Sequence, residues 1–114
     1  MRLPSLERGI VPQAKILDYL LSATHPTGRH KAAFFTRFGF SAGSWERLAL
    51  ALLKHAAEHE VSGVLESPFG RPYTVEGELP APDSRRPMIR SVWFLASEGA
   101  EPVFVTAYPW RSRR

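Results

Sequence analysis

Residues 25–31 (HPTGRHK) hold the densest group of side chains that could carry chemistry in this 114-residue sequence. Two histidines, an arginine and a lysine surround a glycine-containing turn at the expected start of a helix. Backbone N–H groups at a helix start favour anions, and these side chains add positive charge. The segment therefore predicts phosphate contacts by His25, Arg29, His30 and Lys31. The alternative is a solvated basic turn in which Gly28 only begins the helix.

His55 and His59 lie four residues apart on a predicted helix, a spacing that can hold a metal ion. Only Glu58 and Glu60 lie nearby and no third ligand is evident, so we predict neither a metal nor a cofactor. His55 also continues the apolar stripe of this helix. A histidine on an apolar face is more often a satisfied core residue than a site residue. Both interpretations of His55, core and catalytic, stay open at this point.

Arg90, Thr106 and Tyr108 form a third candidate group, on two predicted strands. Arg90 lies within MIRSVWFLA, which is predicted to be a central strand because it is apolar on both faces. In the last strand, alternation puts Phe104, Thr106 and Tyr108 on one face. If the two strands are neighbours, Arg90 lies beside Thr106 or Tyr108 and makes an anion site. The alternative is that threonine and tyrosine are ordinary strand formers here.

Cleavage of RNA without a metal requires a base for the 2′-hydroxyl, an acid for the leaving oxygen, and cations that bind the phosphate. For these catalytic roles the sequence offers Lys31, His55, Arg90, Thr106 and Tyr108. For further nucleic-acid contacts it offers His25, Arg29, His30, Arg71, Arg85 and Arg86. Glu76 and Glu78 are interpreted as a solvent-facing pair on one strand, not as glycosidase carboxylates. The sequence lacks a nucleophile elbow, a P-loop and a dinucleotide fingerprint.

Hydrophobic periodicity predicts helices first and strands afterwards. Residues 12–22, 29–38 and the stretch after Ser44 have helical spacing, with Gly39 as a stop and Ser44 as a cap. After Glu60 the pattern alternates, which predicts an α+β fold: two to three N-terminal helices packed on one face of a four-stranded antiparallel β-meander. The expected parts of the single domain 1–114 are an N-terminal arm (1–11), a helical half (12–60), a β-sheet half (61–109) and a basic tail (110–114).

The composition favours an anionic partner such as RNA. The chain has 15 Lys and Arg residues against 11 Asp and Glu residues, a net charge of +4 and a pI near 10.0. Most of these cations are arginine, which binds phosphate through two N–H groups. The lack of cysteine excludes disulfides and thiolate chemistry. No apolar run approaches the roughly 18 residues of a membrane span and no signal peptide is recognised, so we predict a cytoplasmic location and no membrane partner.

Several stretches resemble a family of short bacterial proteins, the domain of unknown function numbered 6883. The resemblance rests on DYLLSATHPTGRHKAAFF followed by FGF, and on ALLKHA, GRPYTVEGEL, IRSVWF and VTAYP, which cover nearly the whole chain in order. One departure is Ser84 in PDSRRP, where the family tends to have glycine; it affects only the turn. The resemblance implies no established activity. The family's helices-then-sheet order is similar to that of small metal-independent ribonucleases and toxins of the barnase, EndoU and RelE type.

The residues support three functional hypotheses. The first is a small metal-independent endoribonuclease that acts as the toxin of a toxin–antitoxin pair, which accounts for the charge, the histidines and the element order. The second is a non-catalytic module that binds nucleic acid or protein through the same basic residues. The third is an antitoxin- or immunity-like protein that meets a small protein partner through a strand edge. We favour the first.

Overall fold

The computed structural model describes residues 1–110, and the predicted basic tail lies outside this range except for Trp110. Helical segments form the first half. They are a 3₁₀ turn (Leu6–Arg8), α1 (Gln13–Lys15) continued by a π-helical turn (Ile16–Leu20), α2 (Arg29–Arg37), a second 3₁₀ turn (Ala42–Ser44) and α3 (Trp45–Glu58). The second half forms strands β1 (Val61–Val64), β2 (Arg71–Glu78), β3 (Met88–Leu95) and β4 (Val103–Pro109).

The strands form one antiparallel sheet in the order β1-β2-β3-β4. This confirms the predicted α+β meander and makes β3 an interior strand, as expected. Buried and half-buried residues alternate along β2 and β3, because successive side chains point to opposite faces. We call the face that packs against α3 the core face and the opposite one the outer face. The outer face includes Pro72, Thr74, Glu76, Glu78, Met88, Arg90, Val92, Phe94, Val103, Thr106 and Tyr108.

Apolar side chains of the helices and of the core face make the hydrophobic core. The stripe along α3 is buried at Leu48, Leu52 and Ala56. The largest fully buried side chains include Trp93, Phe35 and Phe104, and each contributes about 1.5–3 kcal/mol relative to exposure. The indole N–H of Trp93 donates to Ser91 Oγ at 2.9 Å, so the polar part of the largest core residue is satisfied.

A β-bulge in β4 corrects one prediction from alternation. Trp93 lies opposite Phe104 and Val92 lies opposite Thr106, so Val105 is an extra residue in β4. The bulge shifts the side-chain alternation by one position. As a result Phe104 is buried against Trp93 on the core face, with ring centroids 5.4 Å apart, whereas Thr106 is on the outer face. The prediction that Phe104 shares a face with Thr106 and Tyr108 is therefore wrong.

Three loop positions test the expected helix and turn signals. Gly39 follows α2 with φ 101°, which confirms it as the helix stop. Ser44 is the N-cap residue of α3, as predicted, but its side chain makes no capping hydrogen bond. Ser84 has φ 74°, a conformation that costs an L-residue about 1–2 kcal/mol and glycine almost nothing. Glycine therefore suits this turn better than the serine found here.

Candidate functional site

A lysine, a tyrosine and a threonine meet where the helical half reaches the edge strand β4. The Lys31 ammonium donates to Tyr19 Oη and, at 2.8 Å, to Thr106 Oγ1. These two hydroxyl oxygens lie 3.2 Å apart. The ammonium also lies 4.7 Å from the ring centroid of Tyr19 and 5.7 Å from that of Tyr108. The structure thus brings together three of the predicted catalytic residues, Lys31, Thr106 and Tyr108.

The electrostatics of this group favour an anionic ligand. Lys31 is half-buried and makes no ion pair with any acidic side chain within residues 1–110. Burial raises the pKa of Tyr19, but its hydrogen bonds with Lys31 and Thr106 and the charges of Lys31 and Lys15 outweigh burial, so the pKa lies below its ordinary value of 10.0. An ammonium flanked by hydroxyls and not by carboxylates leaves a positive potential that an anion can neutralise.

The turn before α2 packs against Tyr19, the residue whose hydroxyl accepts a hydrogen bond from Lys31. His25 Nδ1 accepts hydrogen bonds from the backbone N–H groups of Thr27 and Gly28, at 3.0 and 2.9 Å, which leaves the ring proton on Nε2. The His25 ring also meets the Tyr19 ring edge-on, with centroids 5.0 Å apart. Gly28 lies so close to Tyr19 that a Cβ would stand 2.9 Å from the Tyr19 carbonyl carbon. The glycine therefore allows α2 to start directly against the π-helical turn.

Replacing Gly28 by alanine is expected to lower the free energy of unfolding by about 1–3 kcal/mol, because the new methyl group overlaps the Tyr19 backbone. The matched control is Gly43→Ala, since a Cβ at Gly43 meets nothing within 4 Å. Denaturant unfolding of both variants measures the difference. Equal stabilities would show that α2 does not depend on this close approach.

A second group on the outer face centres on Arg90, which lies opposite Glu76 on β2 and Tyr108 on β4. Its guanidinium donates two hydrogen bonds to Glu76 Oε2, the one from Nε at 2.8 Å. Nη1 lies 3.4 Å from Tyr108 Oη, and the guanidinium carbon lies 3.6 Å from the Trp110 ring centroid. The side chains of Arg90 and Glu76 remain 26% and 25% exposed. The register confirms the prediction that Arg90 lies beside Tyr108.

Tyr108 joins the two groups, because it contacts Arg90 through its hydroxyl and lies near Lys31 through its ring. We call the combined set the outer-face cluster: Tyr19, Lys31, Glu76, Arg90, Thr106 and Tyr108. It contains two cations, of which Arg90 is paired with Glu76, a carboxylate that can accept a proton, and a phenol of lowered pKa that can donate one. These are the chemical groups that metal-free phosphodiester cleavage requires.

The structure does not bring His55 to this cluster. Its side chain is fully buried between α3 and β2, where Nδ1 lies 3.1 Å from the Glu78 carbonyl oxygen and Nε2 lies 3.3 Å from that of Val75. Burial lowers the pKa of His55, and the two carbonyl oxygens oppose this shift without cancelling it. Of the two interpretations of His55, the geometry favours the satisfied core residue.

The buried His55 predicts that the protein loses stability on mild acidification. In the unfolded chain His55 titrates at its ordinary pKa of 6.5 and in the folded protein below it, so the unfolded chain binds more protons between these values. The stability present above pH 6.5 is therefore lost as the pH falls from 6.5 through the folded pKa. We expect denaturant midpoints to decline between pH 7 and 5.5. His55→Gln should flatten this slope, whereas the exposed control His30→Gln should retain it; equal slopes in both variants would contradict the prediction.

The predicted nucleic-acid contacts fall in several places. His25 adjoins Tyr19, while Arg29 and His30 are exposed at the start of α2.

Arg71 pairs with Glu66 at the far end of β2. Arg85 is engaged by Asp83 and stacks 4.4 Å from the Phe38 ring centroid, and Arg86 lies 3.8–3.9 Å from Glu78 and Glu58. Only His25 among the six therefore contacts the outer-face cluster, and the three loop and hairpin arginines already have acidic neighbours.

The sequence patterns did not identify two residues of the outer-face cluster, Tyr19 and Glu76, or the Trp110 ring that lies against Arg90. No local pattern marks Tyr19 as a site residue, because its contact with Lys31 depends on how α2 packs against the π-helical turn. Glu76 looked solvent-facing, although it is paired with Arg90. A signal was available for Glu76, because an arginine in an interior strand needs an acidic partner on a neighbouring strand.

Two further features of residues 1–110 bear on function. No helix in this range has the length and apolarity to cross a membrane. In the same part of the chain, no three or more histidine and acidic side chains are grouped so that they could hold a metal ion. The fold and the site together define an α+β domain with a polar cluster where the helical half meets β4 and the outer face of the sheet.

Comparison with known proteins gives a family and a similar fold. The chain belongs to the family described as Domain of unknown function (DUF6883), whose model matches residues 2–111. A chain of the contact-dependent growth inhibition toxin–immunity protein complex from Klebsiella pneumoniae 342 has a similar structure. The TM-score is 0.71 at 14% identity, over 89% of the present chain and 99% of the other. At this identity the likeness is one of fold. No curated protein matches the sequence.

Proposed function

We propose that this protein is a metal-independent endoribonuclease that acts as the toxin of a toxin–immunity pair. The observation that carries the proposal is the Lys31 ammonium, which is half-buried between two hydroxyls and has no acidic partner within the described chain. Such a cation is suited to a phosphate, and the outer-face cluster supplies a proton acceptor and a proton donor beside it. The net charge of +4 favours a polyanionic substrate.

In the proposed reaction Lys31 and Arg90 bind the scissile phosphate, and Thr106 and Tyr108 add hydroxyl donors. The Glu76 carboxylate takes the proton of the 2′-hydroxyl while the 2′-oxygen forms a bond to phosphorus. The P–O5′ bond breaks, and the departing oxygen takes the phenolic proton of Tyr19. The products are a 2′,3′-cyclic phosphate and a 5′-hydroxyl, so atoms and protons balance without a further reactant.

The pH dependence of cleavage tests the role of Tyr19. Since the donor must be protonated, activity should fall on the alkaline side at a pH below 10.0, the ordinary pKa of tyrosine. We expect Tyr19→Phe to lower kcat by about 10²–10⁴-fold and to remove the alkaline limb from the residual activity. Profiles of kcat against pH for both proteins provide the measurement. An alkaline limb that persists in Tyr19→Phe would assign that titration to another group.

The central experiment incubates purified protein with total RNA and with a labelled single-stranded oligonucleotide in excess chelator. Cleavage that persists in chelator and leaves cyclic phosphate and 5′-hydroxyl ends would support the proposal. Lys31→Met, purified in the same way, controls for contaminating nucleases. Intact RNA across pH 5–10 with folded protein would overturn the enzyme proposal, and tight salt-dependent binding of that intact RNA would favour a non-catalytic module.

The toxin role is supported by the similar fold of a chain from a toxin–immunity complex. Expression in bacteria should arrest growth, and co-expression of a small partner protein that binds the outer face should relieve the arrest. Lys31→Met should permit growth at equal protein levels. Neutral expression of the wild-type chain together with a stable complex on co-purification would favour an immunity-like role in its place.

A further inference from the structure

The outer face has an apolar part directly beside the outer-face cluster. Val92 lies opposite Thr106 on β4, and Phe94, two residues further along β3, lies opposite Pro72 on β2. All three apolar side chains are half-buried and none is fully covered. We call Pro72, Val92 and Phe94 the apolar ledge. Its position places apolar surface next to the residue that anchors the Lys31 ammonium.

We propose that the apolar ledge is a nucleobase subsite, in which one base of single-stranded RNA stacks on Phe94 and Val92 while its phosphate is bound by Lys31. This inference rests on the proposed function and deepens it by naming the substrate class. A base inside a duplex is stacked on both sides and cannot lie flat on a protein surface, whereas an unpaired base can. Aromatic side chains beside cations are the usual platforms for single strands.

The distance between neighbouring strands suits a site in which the apolar ledge contacts the base and Lys31 contacts the phosphate. Neighbouring strands lie about 4.8 Å apart, so Val92 is one strand spacing from Thr106 and hence close to the hydrogen-bond partner of Lys31. A mononucleotide needs its base and phosphate on adjacent, not distant, patches. Here the apolar surface of β3 lies beside Thr106 on β4, which accepts a hydrogen bond from the Lys31 ammonium of α2.

The β1–β2 turn supports the ring of Phe94 from one side. Gly70 has φ 139°, and a Cβ there would lie 2.9 Å from Phe94 Cε2 and 2.5 Å from the Leu95 carbonyl oxygen. The absence of this carbon lets the turn pack directly against the ring. A ring held in this way loses little conformational freedom when a base stacks on it, which favours binding.

Titrations of the wild-type protein with adenosine 3′-monophosphate, ribose 5-phosphate and inorganic phosphate test the inference by NMR. We expect the nucleotide to bind about tenfold more tightly than the sugar phosphate, as one stacked base provides. Val92 methyl resonances should shift upfield with the nucleotide only, because of the ring current of the base. Phe94→Leu should remove the tenfold advantage and leave the affinity for ribose 5-phosphate unchanged. Equal affinities, undetectable binding, or shifts confined to Lys31 and its neighbours would overturn the proposal.

Two experimental outcomes distinguish a failure of the nucleobase subsite from a failure of the proposed enzyme. Base-dependent binding without any RNA cleavage would overturn the enzyme and leave the subsite standing. Cleavage of RNA combined with equal affinity for nucleotide and sugar phosphate would overturn the subsite alone. A single-stranded oligonucleotide should also compete for the site at least about tenfold better than the same sequence as a duplex. If Phe94→Leu does not fold, the wild-type titrations and this competition decide the question.

Discussion

Replacing Lys31 by methionine should reduce RNA cleavage by about 10²–10³-fold, the loss seen when a donor that stabilises developing charge is removed. Methionine keeps the length of the stem that packs on Tyr19 and removes only the ammonium. Without the ammonium, the hydroxyls of Tyr19 and Thr106 still contact each other, but the phosphate loses its cation. Initial rates on a labelled oligonucleotide measure the effect.

Lys54→Met is the matched control for this experiment. Lys54 is also a helical lysine, but it is exposed on α3, which packs on the core face. It carries the same charge, so the control corrects for the general loss of attraction to RNA. We expect its cleavage rate to change less than about threefold, as for a single screened surface charge. Similar losses in both variants would mean that Lys31 acts only through overall charge.

Replacing Glu76 by glutamine should lower kcat by about 10²–10⁴-fold, the usual contribution of a general base. Glutamine fills nearly the same volume and can still accept a hydrogen bond from Arg90. It cannot accept the proton of the 2′-hydroxyl at neutral pH. The substrate KM should change much less than kcat, because the phosphate contacts of Lys31 and Arg90 remain. Steady-state kinetics on a dinucleotide substrate separate the two parameters.

Glu78→Gln is the control, since Glu78 lies two residues along the same strand and points to the same face. Its side chain is 50% exposed and its distance to Arg86 is 3.8 Å, so an exposed pair of this kind contributes at most about 1 kcal/mol to stability. We expect nearly unchanged kinetics. A loss in Glu76→Gln that appears in KM alone would reassign Glu76 to the positioning of Arg90.

Much of the fold could be predicted from local patterns. The change from helical to alternating periodicity after Glu60, together with short turn-rich connections, is enough to predict a meander. Within a meander β3 must lie between β2 and β4, which already puts Arg90 beside Thr106 or Tyr108, and the observed register selects Tyr108. The β-bulge at Val105 could not be predicted, because an extra residue leaves the apolar pattern of β4 almost unchanged while it reverses the face of Phe104.

The sequence by itself determined the α+β architecture, the basic charge and the presence of side chains able to bind phosphate. Only the tertiary structure decided which of them meet. Lys31 and Thr106 are 75 residues apart and come together because α2 starts directly against Tyr19 at Gly28. His55, equally suited to catalysis by residue type, is instead buried in the core, where its ring nitrogens face the carbonyl oxygens of Glu78 and Val75. Residue type determines which chemistry a side chain can perform, whereas packing of the helices on one face of the sheet determines where that side chain lies.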